Sequence, residues 1–225
     1  MKERILYEDK EIIVCHKPAG IATQTGQTRQ KDMVSEIKNY LESNPYLGVV
    51  HRLDQPVEGI LVFAKTPFAA KELSRQLTGN LLHKQYDAVV LGEGFSESRE
   101  LVDYLKKKAE TNRSEITNMG ESGAKKAILR AKTLDMNLQK NIALLEITLL
   151  TGRHHQIRVQ LSGAGYPILG DKKYGTEKSI QKSLELGVDH VALCACRLEL
   201  LHPKTKKKLE FSVKPEGRIF QEFNI

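Results

Sequence analysis

The pattern of apolar and polar residues predicts a chain built mainly from short strands. Alternating or short continuous apolar segments bounded by Gly, Pro, Asn or Asp are typical of strands. The predicted strands cover residues 4–8, 11–16, 59–64, 83–92, 127–134, 142–150, 190–200 and 207–213, with the end of a further strand at Val49-Val50. A polar loop is predicted over residues 22–32, and a turn over His202–Thr205.

Helices are predicted where apolar residues recur three and four positions apart. The predicted helices cover residues 33–42, 67–77, 97–107, 152–162 and 179–186. Several predicted strands follow one another through short turns, with few helices between them. The sequence therefore predicts an α+β fold with a mixed, largely antiparallel sheet and flanking helices, rather than a doubly wound parallel sheet. No repeat or linker is visible, so we expect a single domain over residues 1–225.

Composition fits a globular protein and excludes several other classes. The chain has 225 residues, of which 40% are hydrophobic, enough for a substantial core. No segment approaches the roughly 20 apolar residues of a membrane-spanning helix. The N-terminal segment lacks the apolar core and cleavage site of a signal peptide. We therefore expect a cytoplasmic protein with no membrane partner.

The net charge and the cysteine content limit the kinds of partner and metal site that we expect. The formal net charge is +7 and the pI about 9.2. This balance favours a polyanion such as nucleic acid, although solvated faces and hairpin tips would give the same composition. The basic clusters are Lys106–Lys108, Lys125-Lys126, Lys172-Lys173 and residues 204–208. The three cysteines suggest neither a disulfide framework nor a metal site, and we expect buried free thiols.

Three polar segments are candidates for chemistry. They are His51-Arg52-Leu53-Asp54 between two strands, Lys84-Gln85-Tyr86 on a strand, and residues 152–158 (GRHHQIR) at the start of a helix. In that helix His154 and Arg158 would share a face opposite Ile157 and Leu161. Taken singly, each segment also fits an ordinary turn, an ordinary strand tyrosine or a solvated helix face.

Longer motifs that contain these segments resemble the RluA-like pseudouridine synthases of RNA. The matching segments are IIVCHKPAGI, HRLDQPVEGILVFAK and TGRHHQIRVQLSGAGYPILGDKKYG, in family order and spacing over roughly residues 5–212. The resemblance implies the pseudouridine synthase catalytic-core fold, with no cofactor and no metal. Many relatives carry an additional N-terminal RNA-binding domain. This chain begins directly in the core, so we expect it to lack one.

The resemblance also implies roles for individual residues. Asp54 matches the catalytic aspartate, Tyr86 the tyrosine that lies against the target base, and Arg158 the basic residue paired with the aspartate. Arg52 matches the arginine that occupies the space of the extruded nucleotide. Further RNA contacts are expected from His51, Lys65, Lys84, Arg153, His154 and His155.

These residue types suit uridine isomerisation, which breaks an N1–C1′ bond and forms a C5–C1′ bond. A carboxylate can act as a nucleophile or stabilise positive charge on the sugar. A guanidinium stays charged and binds a carboxylate through two hydrogen bonds. Tyrosine offers a flat apolar ring and a hydroxyl. The sequence is compatible with attack of Asp54 on the sugar, attack on the base or removal of a proton.

Two departures from the family pattern keep other functions in view. Val57-Glu58 stands where most relatives have Thr-Ser, and His154 stands where threonine is usual. Glu58 could disturb Asp54 or point to solvent. The Val57-Glu58 change motivates a non-catalytic RNA-binding module as one alternative. A base-excising glycosylase is another, because a single aspartate can also stabilise an oxocarbenium-like state. The RNA substrate could be rRNA or tRNA, and a monomer is expected.

Overall fold

The computed structural model describes residues 1–25, 30–42 and 46–223. This part contains eleven strands and four α-helices, with short 3₁₀ helices at Lys2–Arg4 and Arg218–Glu222. The strands are β1 (Ile5–Glu8), β2 (Ile12–Lys17), β3 (Gly48–Val49), β4 (Glu58–Ala64), β5 (His83–Leu91), β6 (Arg99–Lys108), β7 (Arg113–Thr117), β8 (Lys125–Asn137), β9 (Ile142–Leu149), β10 (Leu193–Leu201) and β11 (Lys208–Ser212). The helices are α1 (Met33–Tyr40), α2 (Pro67–Thr78), α3 (Gln156–Gly163) and α4 (Glu177–Glu185).

The chain divides into two compact units. The first comprises Met1–Lys84 with Ala195–Pro215, and the second Gln85–Cys194 with Glu216–Ile225. The predicted α+β class with a largely antiparallel sheet is confirmed. Organisation as one domain over residues 1–225 stays a prediction.

In the first unit the strand order is β1-β2-β4-β10, with β3 on β4 and β11 on β10. Every residue of β2 and β4 is buried, because sheet neighbours flank both strands. Helix α2 packs its apolar face on them through Ala69 and Leu73. It begins where predicted, because Pro67 suits the first turn and the Thr66 hydroxyl accepts a hydrogen bond from Ala69 N at 3.1 Å. The first unit therefore holds the ends of β2 and β4 rigidly.

In the second unit the strand order is β5-β9-β8-β6-β7, and all four pairings are antiparallel. Helix α3 lies against one face, where Val159 packs on Leu105 and Ala127. Gln160 on the same helix donates to the Asp103 carboxylate at 2.7 Å. The face of the sheet that carries Leu105 therefore positions α3.

One predicted helix is wrong. Residues 97–107 were expected to be helical, but residues 99–108 form β6, and β7, which was not predicted, follows it. Leu101 and Leu105 are four positions apart, which fits a helix. They also share one face of a strand together with Asp103, and pairing with β7 and β8 decides in favour of the strand.

The other predicted elements are confirmed to within a few residues. Residues 26–29 of the predicted loop over 22–32 lie outside the described residues. Within the described residues, no helix has the length and apolar composition needed to cross a membrane.

Candidate active site

The loop between β3 and β4 carries Asp54 on a turn fixed by its own backbone. Val57 N donates to Asp54 O at 3.1 Å, closing a turn that contains Pro56. On the preceding residue, Leu53 N donates to the Thr23 hydroxyl at 3.1 Å, and that hydroxyl donates to Leu53 O at 3.0 Å. These bonds hold Asp54 half-buried without using its carboxylate.

Lys17, at the end of β2, holds the same loop through hydrogen bonds from its side chain. Its side chain is fully buried, and Nζ donates to Pro18 O at 2.9 Å, Ile21 O at 2.7 Å and Gln55 O at 3.1 Å. A neutral amine has only two N–H groups, so three accepting carbonyls require the charged ammonium. Lys17 therefore places a buried positive charge beneath the residue that follows Asp54.

Burial lowers the pKa of Lys17 to about 8, although the negative charges of Asp54 and Glu58 act to raise it. Glu58 itself is buried, with Oε2 3.9 Å from His16 Nε2. It therefore does not point to solvent, which was one of the two possibilities left open by the sequence. Gly59 follows it at φ +129°, and a Cβ there would lie 2.4 Å from Ala195 N on β10. Only glycine allows the two strands to approach this closely.

A Lys17→Met variant should change how stability depends on pH. The folded-state pKa of about 8 lies below the ordinary value of 10.5, so the unfolded chain binds more protons between these values. Lys17 thus contributes stability that rises with pH across this window. The free energy of unfolding of the wild type should gain up to about 3 kcal/mol relative to the variant from pH 8 to pH 10.5. Urea titrations of both proteins across this range measure the difference, and a pH-independent difference would contradict the assignment.

His51 and Arg52 are neighbours in the sequence, but the side chain of one is buried and that of the other is exposed. His51 is buried, and its Nε2 accepts a hydrogen bond from Val62 N at 3.3 Å. Burial, assisted by the charge of Lys84, holds the pKa of His51 well below its usual range, so the ring is neutral. Arg52 is exposed and donates from Nη2 to Gln24 Oε1 at 3.1 Å. Arg52 is therefore presented at the surface, whereas His51 ties the loop to β4.

The two lysines expected to contact RNA also differ in their surroundings: Lys65 is paired with a carboxylate, and the pKa of Lys84 is lowered by burial. Lys65 Nζ lies 2.5 Å from a carboxylate oxygen of Glu8. Burial lowers the pKa of Lys84 to about 8. RNA contacts by His51, Lys65 and Lys84 stay predictions.

In the second unit, Arg158 forms a buried two-pronged ion pair with Asp171. Nε donates to Oδ2 at 2.7 Å and Nη2 to Oδ1 at 2.8 Å, and the side chains are 5% and 1% exposed. Burial acts to raise the pKa of Asp171, but the hydrogen bonds and charge of Arg158 outweigh it and hold the pKa below its usual range. Arg158 therefore does not lie on a solvated helix face.

The segment that holds Asp171 is itself fixed. Oδ1 accepts from Lys173 N at 2.9 Å and Tyr174 N at 3.1 Å. The Tyr174 ring lies 5.1 Å from the Arg158 guanidinium carbon. Gly170 has φ +76°, and a Cβ there would lie 1.9 Å from His190 O, so glycine is required just before Asp171. The bond to Asp171 uses the Nε edge of the guanidinium, which directs the Nη1 edge away from that carboxylate.

The residues before α3 form a turn rather than the predicted first turn of helix. His155 precedes α3 in the left-handed region at φ +53°. Gln156 locks this turn, because its Oε1 accepts from the Thr151 hydroxyl at 2.8 Å and from Arg153 N at 2.9 Å. The His154 and His155 rings stack with centroids 3.7 Å apart. The sequence GRHHQ thus presents two imidazoles and one exposed arginine at one end of α3.

Tyr86 lies on β5 opposite Ile147 of β9 and is almost fully buried. The first unit thus groups Arg52 and Asp54 over Lys17, and the second groups Arg158 with Asp171. Sequence reasoning did not assign roles to Lys17, Asp171 or Tyr174. The motifs KPAG and GDKKYG contain them, but the partners of these residues become visible only in the folded chain.

The sequence of this chain matches a family model and the sequences of known proteins. A family model described as RNA pseudouridylate synthase matches residues 11–163. The chain is 32% identical over 212 residues to ribosomal large subunit pseudouridine synthase C of Haemophilus influenzae, covering 94% of this chain and 65% of that protein. It is 34% identical over 176 residues to the protein of the same name from Rickettsia bellii, covering 78% of this chain and 58% of the relative.

Solved structures agree with the fold. Human RNA pseudouridylate synthase domain containing 1 superposes with a TM-score of 0.77 at 20% identity, covering 94% of this chain and 83% of that chain. Human RNA pseudouridylate synthase domain containing 4 gives 0.76 at 22% identity, covering 96% and 90%. The predicted catalytic-core fold is therefore confirmed.

Proposed function

The chain belongs to the RNA pseudouridylate synthase family, and from this premise we propose that it isomerises specific uridines of RNA to pseudouridine. The observation that carries the proposal is the family match over residues 11–163, which includes the segments of Asp54, Tyr86 and Arg158. The chain spans 65% and 58% of the length of the two curated relatives named above. Because those relatives are named for the large ribosomal subunit, we propose large-subunit rRNA, rather than tRNA, as the substrate.

In the proposed reaction the target uridine leaves the RNA stack, which costs a few kcal/mol and less in an open loop. The N1–C1′ bond breaks, C5 bonds to C1′, C5 releases its proton and N1 takes up a proton, so the product is an isomer of the substrate. Asp54 stabilises or attacks the reacting centre as a carboxylate. Tyr86 supports the base, and Arg158 contributes a permanent positive charge to the reaction. Arg52, exposed beside Asp54, fills the position that the base leaves.

The remaining assignments belong to the same proposal. Arg153, His154 and His155 are proposed to contact the RNA, as they lie together before α3. A cytoplasmic location accords with modification of ribosomal RNA. The monomeric state stays a prediction.

The direct test uses unmodified large-subunit rRNA transcript from the source organism. After incubation, carbodiimide adducts and mass spectrometry should locate pseudouridine at one or a few positions, with the mass of the RNA unchanged. Modification of tRNA alone would overturn the proposed substrate. Abasic sites would instead identify a glycosylase, and the absence of isomerisation in any cellular RNA would refute the proposed activity.

A further inference from the structure

Many of the basic residues that suggest a polyanion partner are paired with carboxylates. Each lies within 4.0 Å of an acidic side chain, as a salt bridge on the surface. These residues are Lys65, Lys106, Lys108, Arg130, Lys132, Lys140, Lys206 and Lys208. A carboxylate neighbour cancels the attraction of a cation for a phosphate. Net charge and lysine runs therefore overstate the surface that can bind RNA.

Three cations of the second unit form what we call the α3 basic cluster: Arg113, Arg153 and Lys173. Within the described residues, none of the three has a carboxylate within salt-bridge distance. Arg113 and Arg153 are exposed, and Lys173 is partly exposed. Their positive charge is consequently available to a ligand.

Hydrogen bonds hold the α3 basic cluster together. Arg153 Nε donates to Lys126 O at 2.8 Å, and Lys173 Nζ donates to Asn112 O, next to Arg113, at 2.9 Å. Ser114, which follows Arg113, lies 2.9 Å through Oγ from His154 Nδ1, next to Arg153. The hairpin of β6 and β7 is thus fastened to the turn before α3, and the three cations lie at this junction.

The same junction carries aromatic rings. The Arg113 guanidinium carbon lies 5.4 Å from the centroid of the Tyr174 ring. The Tyr174 hydroxyl accepts from Ser114 N at 2.8 Å and lies 2.7 Å from His155 Nδ1. Nearby acids are already engaged, since Asp171 binds Arg158 and Glu115 binds Lys108. Cations fixed beside flat rings suit a nucleic-acid strand, because phosphates bind the former and bases stack on the latter.

We propose that the α3 basic cluster binds backbone phosphates of the RNA substrate. This inference rests on the proposed function and adds the β6–β7 hairpin to the RNA-binding surface. Each phosphate contact should release counterions and steepen the salt dependence of binding.

The test compares two double variants that make the same change in composition and charge. Arg113→Gln/Lys173→Gln removes two cations of the cluster, and Arg130→Gln/Lys132→Gln removes one arginine and one lysine that are paired with Glu100 and Glu146. Filter-binding titrations with poly(U) and with large-subunit rRNA transcript are made between about 50 and 200 mM salt. The cluster variant should raise Kd about tenfold or more and reduce the slope of log K against log salt by about 1 to 2. The control should remain close to wild type.

Equal weakening by both variants, or no weakening by the cluster variant, would overturn the proposal. If the cluster variant melts below the assay temperature, Arg113→Gln alone replaces it, because that variant keeps the hydrogen bond from Lys173 to Asn112 O. Binding to poly(U) does not depend on isomerase activity. A chain that forms no pseudouridine can therefore still confirm the cluster, and an active chain can still refute it.

Discussion

Replacing Asp54 by asparagine should reduce pseudouridine formation by about 10³-fold or more while RNA binding persists. The amide keeps the shape of the side chain and removes the negative charge that the proposed chemistry needs. The loop should stay in place, because the Thr23 hydroxyl binds both the N–H and the carbonyl of Leu53. Release of tritium from RNA labelled at uridine C5 measures the reaction, since C5 loses its proton when it bonds to C1′.

The matched control is Asp135→Asn, at an exposed acid on β8. It should leave both tritium release and RNA binding near wild type. In Asp54→Asn the pKa of Lys17 should also fall further. The variant lacks one of the two negative charges that raise this pKa against the effect of burial. Equal tritium release by the two variants would remove Asp54 from the mechanism. Unchanged binding together with an unchanged biological effect of Asp54→Asn would favour the non-catalytic module.

Local signals in the sequence were sufficient for most of the fold. Helix α2 was predicted from Pro67 and apolar spacing, and β4 from a continuous apolar segment bounded by turn residues. In both cases the determining interactions lie within a few positions along the chain. The segment of β6 lacked such a signal, since Leu101 and Leu105 satisfy a helix and a strand equally well. Pairing with β7 and β8 supplies the missing information.

Residue types of the candidate site could be predicted from motifs, but their partners could not. Arg158 is bound by Asp171, and Lys17 by carbonyls that include Gln55, 38 positions away. No periodicity relates residues so far apart. Burial could not be predicted from the sequence either. A lysine before proline predicts a loop, whereas the side chain of Lys17 is fully buried. The second-unit cations show the same limit, because sequence cannot tell a paired lysine from an available one.

Replacing Asp171 by asparagine should lower the free energy of unfolding by about 3 kcal/mol or more at neutral pH, as expected when one partner of a buried ion pair is removed. Arg158, whose side chain is 5% exposed, would lose the carboxylate that lies 2.7 Å from it. The segment from Asp171 to Tyr174 would also weaken, since its two N–H bonds are accepted by a carboxylate oxygen. Urea denaturation followed by circular dichroism measures the change.

Glu100→Gln is the control, because it breaks the exposed pair with Arg130 and should cost less than about 1 kcal/mol. The sign of the pH dependence separates the pair from simple packing. Since the folded-state pKa of Asp171 is lowered, its contribution is complete above the unfolded value of about 3.9 and is lost as pH falls through the folded value. The difference in stability between wild type and Asp171→Asn should therefore hold steady from about pH 8 to pH 6 and shrink in acid. A small difference, or one that acid leaves unchanged, would show that Arg158 is held by packing and not by the carboxylate.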